Sequence, residues 1–228
     1  MTNPLTYIWN HAVKGKSTAW QAISAVIMAV VTILLWRVGS ATNELAQATQ
    51  RALISFAGTG PGPSMTSQDH KIRLSQEVLF NWSNSGTTQA RNAITTISGE
   101  AWPTELPQEF DFPDLQGSQI QTIAIGPKEI DSVRAQIPIN QIATTWEGKS
   151  HLYAWGWIVY DDVFRTPPHL TEFCVEFMQI TIPGGKSSSD FPDPSMNFGW
   201  NIQKCKQHNC YDDDCKDYSA RIKQARRQ

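Results

Sequence analysis

The sequence predicts a mainly β protein carried on one N-terminal helix: a transmembrane helix with a stalk, followed by one antiparallel β-sandwich. Three observations support this. Residues 17–36, STAWQAISAVIMAVVTILLW, hold no ionisable side chain, and roughly 20 such residues, rising about 1.5 Å each, cross about 30 Å of hydrocarbon. From residue 72 the apolar pattern changes to a period of two, that of a half-buried strand. Beyond it come short strand-like runs separated by Gly/Pro turns, with no long amphipathic helix between them, which argues for antiparallel sheets packed face to face.

The ends of the apolar run read as membrane anchors. Trp20 and Trp36 bracket it where indole rings favour the headgroup boundary, and Arg37 follows, able to snorkel outward. The competing reading is a cleaved signal peptide, with Lys14 and Lys16 as its basic region, but the run exceeds the roughly 7 to 15 apolar residues of a secretory segment. A buried core helix is the third reading. Lys14 and Lys16 before the run balance Arg37 and Arg51 after it, and the amino terminus tips the count toward an N-terminus inside and a domain outside. The expected organisation is a short tail at 1–16, the span at 17–37, an amphipathic stalk at 38–51, the sandwich at 52–206 and a Cys/Asp-rich, basic tail at 207–228.

A chain of 228 residues with net charge −2 and pI near 6.2 leaves room for one soluble domain and gives no electrostatic footprint for nucleic acid. Only residues 221–227 are basic, a solvated end or an attraction for acidic headgroups. In the stalk, Val38, Ala41, Leu45, Ala48 and Ala52 recur at steps of three and four. That stripe either packs on its own domain or forms a short coiled-coil seam that makes a homo-oligomer. Gly39 stands where span and stalk meet, a candidate joint.

Residues 58–64, GTGPGPS, read as a break in regular structure. Ile72, Leu74, Gln76, Val78 and Phe80 then share one side of a strand, and residues 84–86 form a turn leading within hairpin distance to a second strand at 92–98. Further strands are expected at 120–125, 132–137, 152–160, 171–181 and 198–204, with turns at 148–149 and 183–186. The strand at 152–160 is apolar on both faces and therefore central, with 171–181 as its neighbour, and Gly156 lets a ring lie against its backbone. Between the second and third strands, residues 101–117 carry Trp102, Phe110 and Phe112 among acids and prolines. These aromatics are either a binding rim or a plug in the open end of the sandwich.

Three pieces of the chain carry a family resemblance. Residues 81–90, NWSNSGTTQA, resemble a hairpin of immunoglobulin-like sandwiches. Residues 153–164, YAWGWIVYDDVF, with His169, Thr171, Phe173 and Cys174 after them, and the closing HNCYDDDC of 208–215, resemble a family of uncharacterised bacterial single-pass envelope proteins. The resemblance implies an immunoglobulin-like domain behind one N-terminal span in the bacterial envelope, and with the charge count the expected place is the inner membrane with the domain in the periplasm. It implies no activity. Arg165, Thr166, Pro167 and Pro168 stand where that family has a short glycine turn.

Chemistry is sparse. Asp161, Asp162, His169 and Glu172 are close in sequence, but aspartates close strands, the proline loop intervenes, and no nucleophile, phosphate-binding or paired-histidine motif accompanies them. No enzyme is expected. An even number of cysteines in an oxidising compartment predicts disulfides. The pairing favoured is Cys174 with Cys205 and Cys210 with Cys215, although four cysteines permit three pairings. The rival is a zinc site from Cys205, His208, Cys210 and Cys215, whose spacing is not that of a two-residue knuckle. Asp212, Asp213, Asp214 and Asp217 read as a solvated turn, with a hard cation such as calcium as the alternative. The expectation is therefore a bilayer-anchored, non-catalytic protein without a cofactor, binding another envelope protein or polymer through Trp102, Phe110 and Phe112 or a strand edge.

Overall fold

A computed structural model describes residues 4–68, 73–164, 167–181 and 198–227. The expected turn at 183–186, the Arg165–Thr166 step and Ile72 lie outside the described residues, as do the side chains of Lys14 and Lys16. The chain forms two compact units, Met1–Thr49 and Gln50–Gln228.

The first unit is one helix, α1 (Pro4–Gln50). Its stretch Ile23–Gln47 is long and apolar enough to cross a membrane. Trp20 and Trp36 are 71% and 73% exposed, and the aliphatic side chains from Ile23 to Leu35 are exposed as well, a surface that water penalises and hydrocarbon does not. The helix runs through Gly39 without a break, so the candidate joint is ordinary helix. Thr32 and Thr42 return their hydroxyls to the carbonyls of Met28 and Val38, both at 2.8 Å, which satisfies them without water. The helix stops before Ala52, a fully buried core residue of the second unit, so that position leaves the stalk stripe.

The second unit is a sandwich of two antiparallel sheets. One has the order β1 (Ile54–Thr66), β2 (Arg73–Asn84), β5 (Ile130–Pro138). The other has the order β4 (Ile120–Ile125), β3 (Ala90–Trp102), β6 (His151–Asp161), β7 (His169–Thr181), β8 (Gly199–Lys204), with β9 (Cys210–Tyr211) also on β7. Two short helices, α2 (Ile139–Trp146) and α3 (Tyr218–Ala225), complete the domain.

The central place of β6 follows from its composition. Ala154, Ile158 and Tyr160 face the other sheet, while Trp155, Trp157 and Val159 are buried on the outer side. Phe173 of β7 is the hub between the sheets, stacked on Phe56 at 4.2 Å between centroids and edge-on to Trp82 at 5.3 Å. Gly156 faces that hub: a Cβ there would lie 3.0 Å from Phe173 Cε1 and 2.8 Å from Ile97 Cδ1, and closer still to the Thr96 carbonyl oxygen.

Two expectations about the first strands are corrected. The glycine- and proline-rich residues 58–64 belong to β1, an edge strand. Proline is tolerated there because the missing N–H need not face a partner, and the register slips between Pro61 and Ser64. Across the slip the buried Gln76 side chain replaces the ladder, donating to Gly62 O at 2.6 Å and accepting from Ser64 Oγ at 2.9 Å. Residues 84–90, in turn, do not close a hairpin, because β2 pairs with β1 and β5 while β3 pairs with β4 and β6. The turn carries the chain from one sheet to the other. Asn84, fully buried, holds it: its Nδ2 donates to Thr88 O at 2.7 Å, Gly126 O at 3.1 Å and Ile125 O at 3.3 Å, and its Oδ1 accepts from Gly86 N at 2.9 Å and Leu53 N at 3.1 Å.

Candidate binding cleft

The outer face of β6 is closed by the two segments that the sequence presents as rim and tail. Phe112 is only 4% exposed and stacks on His208 at 4.1 Å, while Phe110 lies edge-on between Trp102 and Trp155 at 5.2 and 5.3 Å. Trp102, Phe110 and Phe112 are thus a plug over Trp155, not an exposed rim, because these rings have a two-faced central strand to cover. Trp155 Nε1 donates to Pro113 O at 2.9 Å and Trp157 Nε1 to Asp114 Oδ1 at 3.0 Å, which fixes the loop through its backbone and one acid.

The tail is likewise part of the domain. Arg221 of α3 turns inward over the Trp157 ring at 5.5 Å, donates to Asp114 Oδ2 at 2.9 Å and to Phe112 O at 3.1 Å, and leaves its side chain 11% exposed. A basic terminal run read as a solvated end therefore supplies a buried clasp, since guanidinium satisfies several acceptors in one plane. Both disulfides form as expected, Cys174 with Cys205 between β7 and the end of β8, and Cys210 with Cys215 around the tail turn. A disulfide sulfur offers no thiolate to a zinc ion, so Cys205, His208, Cys210 and Cys215 do not present a tetrahedral set in this oxidised form. Among the described residues one group of possible ligands lies within 4.8 Å, Glu172 with Cys210 and Cys215, and both of its sulfurs are bonded to each other. The tail aspartates do not gather into such a group there.

Two polar clusters pin the tail. His169 sits between acids, Nδ1 3.0 Å from Asp212 Oδ2 and Nε2 3.3 Å from Asp162 Oδ2. Asp162 and His169 thus meet, where the sequence suggested that they stand apart. Burial alone would lower His169, but hydrogen bonds and charge from Asp212 and then Asp162 leave its pKa raised. Burial opposes ionisation of Asp212, yet bonds from His169 and the Leu170 N–H hold its carboxyl below the usual range. In the second cluster Glu172, 5% exposed, lies 3.2 Å from His208 Nδ1, 3.6 Å from Arg221 Nε and 3.2 Å from Cys210 Sγ. Burial pushes Glu172 up to about 7 against the pull of Arg221, and burial pushes His208 down to about 4. Both clusters tie the tail to β7 through buried polar contacts, and both read as tail anchors.

The open site lies elsewhere, at the corner where β5 and β4, the edges of the two sheets, face each other. A cleft of about 610 Å³ runs there, within the roughly 300–1,000 Å³ of ligand sites. Its walls are β2 (Ser75, Glu77), β5 (Arg134, Gln136), the loop 115–119 and Gln141 of α2, over an apolar floor of Ile97 and Ala135. Five glutamines line it, at 116, 119, 121, 136 and 141. The loop wall is set by Ser98, whose Oγ accepts from Leu115 N at 3.1 Å and pairs with Ser118 Oγ at 2.8 Å. Glu77 Oε1 and Gln141 Oε1 are buried acceptors without a hydrogen-bond donor, Glu77 Oε1 standing 3.7 Å from Arg134 Nε. The sequence suggests no site at these residues, because they come from five separate segments and share no motif. A second cavity, of about 520 Å³, has Glu105, Leu106 and Gln108 of the aromatic loop on one side and Lys204 and Lys206 on another; the three predicted aromatics do not line it.

Fold and sites together define a disulfide-braced β-sandwich that follows, in the sequence, a helix long and apolar enough to span a membrane. Comparison with protein-family models, with curated proteins and with solved structures finds no match.

Proposed function

We propose that this is a membrane-anchored, non-catalytic binding protein whose partner seats in the cleft between β4 and β5. The observation that carries the reading is the pair of buried acceptors, Glu77 Oε1 and Gln141 Oε1, in a cleft lined by hydrogen-bonding side chains. Unpaired buried acceptors are costly, and a partner that brings donors removes that cost. The reading includes an immunoglobulin-like domain on the outer side of a bacterial inner membrane. Two face-to-face antiparallel sheets support the first part, and two disulfides, which persist in oxidising compartments, support the second. A photoactivatable residue at Gln119 or Gln136 in intact membranes should give adducts to a single partner, and one at the exposed Lys216 should not. Equal adducts from all three positions would end the proposal.

A second reading, a structural subunit that oligomerises through the span and stalk, is favoured by the exposure of Val38 and Leu45 on an unbroken helix. Native electrophoresis should then show an oligomer that Leu45→Glu dissociates; a monomer unaffected by the substitution rejects it.

A further inference from the structure

We propose that the edge of β5, where β4 parts from it, receives one extended peptide segment, which adds as a strand beside Arg134 and Gln136 and sets a basic side chain against Glu77. This deepens the cleft reading above and rests on it.

Strands β4 and β5 are consecutive and joined by residues 126–129, a connection of the length that usually closes a hydrogen-bonded hairpin. The turn itself is formed, with Glu129 N donating to Gly126 O at 3.3 Å and Gly126 N to Glu129 Oε2 at 3.0 Å. The strands nevertheless belong to different sheets, each as an edge, and an edge presents a row of backbone donors and acceptors that can template another strand. At one level a side chain spans the gap. Gln121 of β4 donates from Nε2 to Arg134 O at 2.8 Å and accepts from Arg134 N at Oε1, 3.2 Å away. A primary amide that pairs both backbone groups of one residue does what a peptide unit of a neighbouring strand would do.

Ladder alternation then fixes the rest of the edge. Because Arg134 points its N–H and C=O away from β2, Ser132 and Gln136 do the same. The Ser132 N–H is capped by Asp131 Oδ1 at 2.8 Å, whereas Gln136 lines the cleft. Pro138, the next residue of that parity, has no N–H, so the pairing surface is Gln136 and, once Gln121 is displaced, Arg134, at the cleft mouth.

Charge selects the segment. Glu77 and Glu100 outnumber Arg134 in the lining. Glu77 lies directly across from Gln136 in the β2–β5 register, so a residue added opposite Gln136 projects on the same face as Glu77. A lysine ammonium or an arginine guanidinium can supply the donor that the buried Glu77 Oε1 lacks. Backbone pairing supplies affinity and the basic residue supplies register, the usual division in strand addition.

Random heptapeptides displayed on phage and panned on the full chain in detergent micelles supply the probe. Each enriched sequence is remade as a free peptide, as a twin N-methylated at alternate residues, and with its Lys or Arg changed to Glu; binding is read by fluorescence anisotropy. N-methylation and charge reversal should each weaken binding roughly tenfold or more. Gln136→Pro, whose lost N–H faces the cleft and not β2, should weaken it similarly, while Gln121→Ala should tighten it several-fold because no side chain must be displaced. Peptides indifferent to N-methylation and to both variants overturn strand addition. If no sequence is enriched while photo-crosslinks at Gln119 and Gln136 still capture a partner, the peptide class is wrong and the cleft reading stands; if the crosslinks fail as well, both fall.

Discussion

Replacing Glu172 by glutamine tests whether the tail cluster is held by charge or by shape. The carboxyl is buried against His208, Arg221 and the Cys210–Cys215 bond, and its pKa rises from 4.5 to about 7. A raised carboxyl binds its proton more tightly in the folded chain than in the unfolded one, so stability falls as pH rises through that interval. At about 1.4 kcal/mol for each pH unit, the full interval from 4.5 to about 7 corresponds to a loss of about 3 kcal/mol above neutrality. Glutamine keeps the shape of the protonated acid and does not ionise. Glu172→Gln should therefore match the parent within about 0.5 kcal/mol at pH 4.5 and exceed it by roughly 2–3 kcal/mol at pH 8. Chaotrope unfolding followed by tryptophan fluorescence at both pH values measures this, and the comparison at each pH largely cancels the titration of His208. A variant less stable than the parent at pH 8 would refute the reasoning, because it would mean that the ion pair with Arg221 outweighs the cost of burial.

Other expectations follow from the same geometry. Asn84→Ala strands several buried backbone groups at the crossing between sheets and should cost about 4 kcal/mol, read in the same unfolding assay. Gly156→Ala drives a methyl into Thr96, Ile97 and Phe173, and overpacking of a central strand should cost about 3 kcal/mol. Removing the Cys174–Cys205 bond, whose ends are 31 positions apart, should cost about 4 kcal/mol and removing Cys210–Cys215, 5 positions apart, about 2 kcal/mol, as loop entropy sets them; thiol titration of the intact chain should find no free cysteine. The His169–Asp212 bond has two pH limits. The raised His169 contributes fully below its unfolded value of 6.5 and less as pH rises through its folded value; the lowered Asp212 contributes above 3.8 and less as pH falls through its folded value. Asp212→Asn should accordingly speed amide exchange at Leu170 most between about pH 4 and 6.5, and the difference should narrow by pH 9.

What could be read from the sequence was what neighbours in the chain decide. The apolar run, the period-two strands and the two-faced strand around Gly156 are local patterns, and each stands where its pattern put it. Cys174 lies within β7 and Cys205 directly follows β8, its neighbour, strands that the same patterns located, which is why their pairing was also within reach. Sheet membership was not local. Nothing in residues 81–90 distinguishes a hairpin from a crossing, because what separates them is whether β2 finds β5 or β3, a choice made by residues far along the chain. The edge strand through Pro61 and Pro63 was hidden for a related reason: proline and glycine exclude a central strand but permit an edge, and only the assembled sheet shows which it is. Trp102, Phe110 and Phe112 carried the same composition as plug or rim, and the outer face of Trp155, which they cover, decided between them. The sequence alone determined an apolar helix, a run of strands and an even set of cysteines, because covalent order and side-chain period suffice for those. Only the tertiary structure decided that the basic tail turns inward, that His169 meets two acids, and that β4 and β5 part to leave a polar cleft, because each depends on contacts between segments that no local pattern relates.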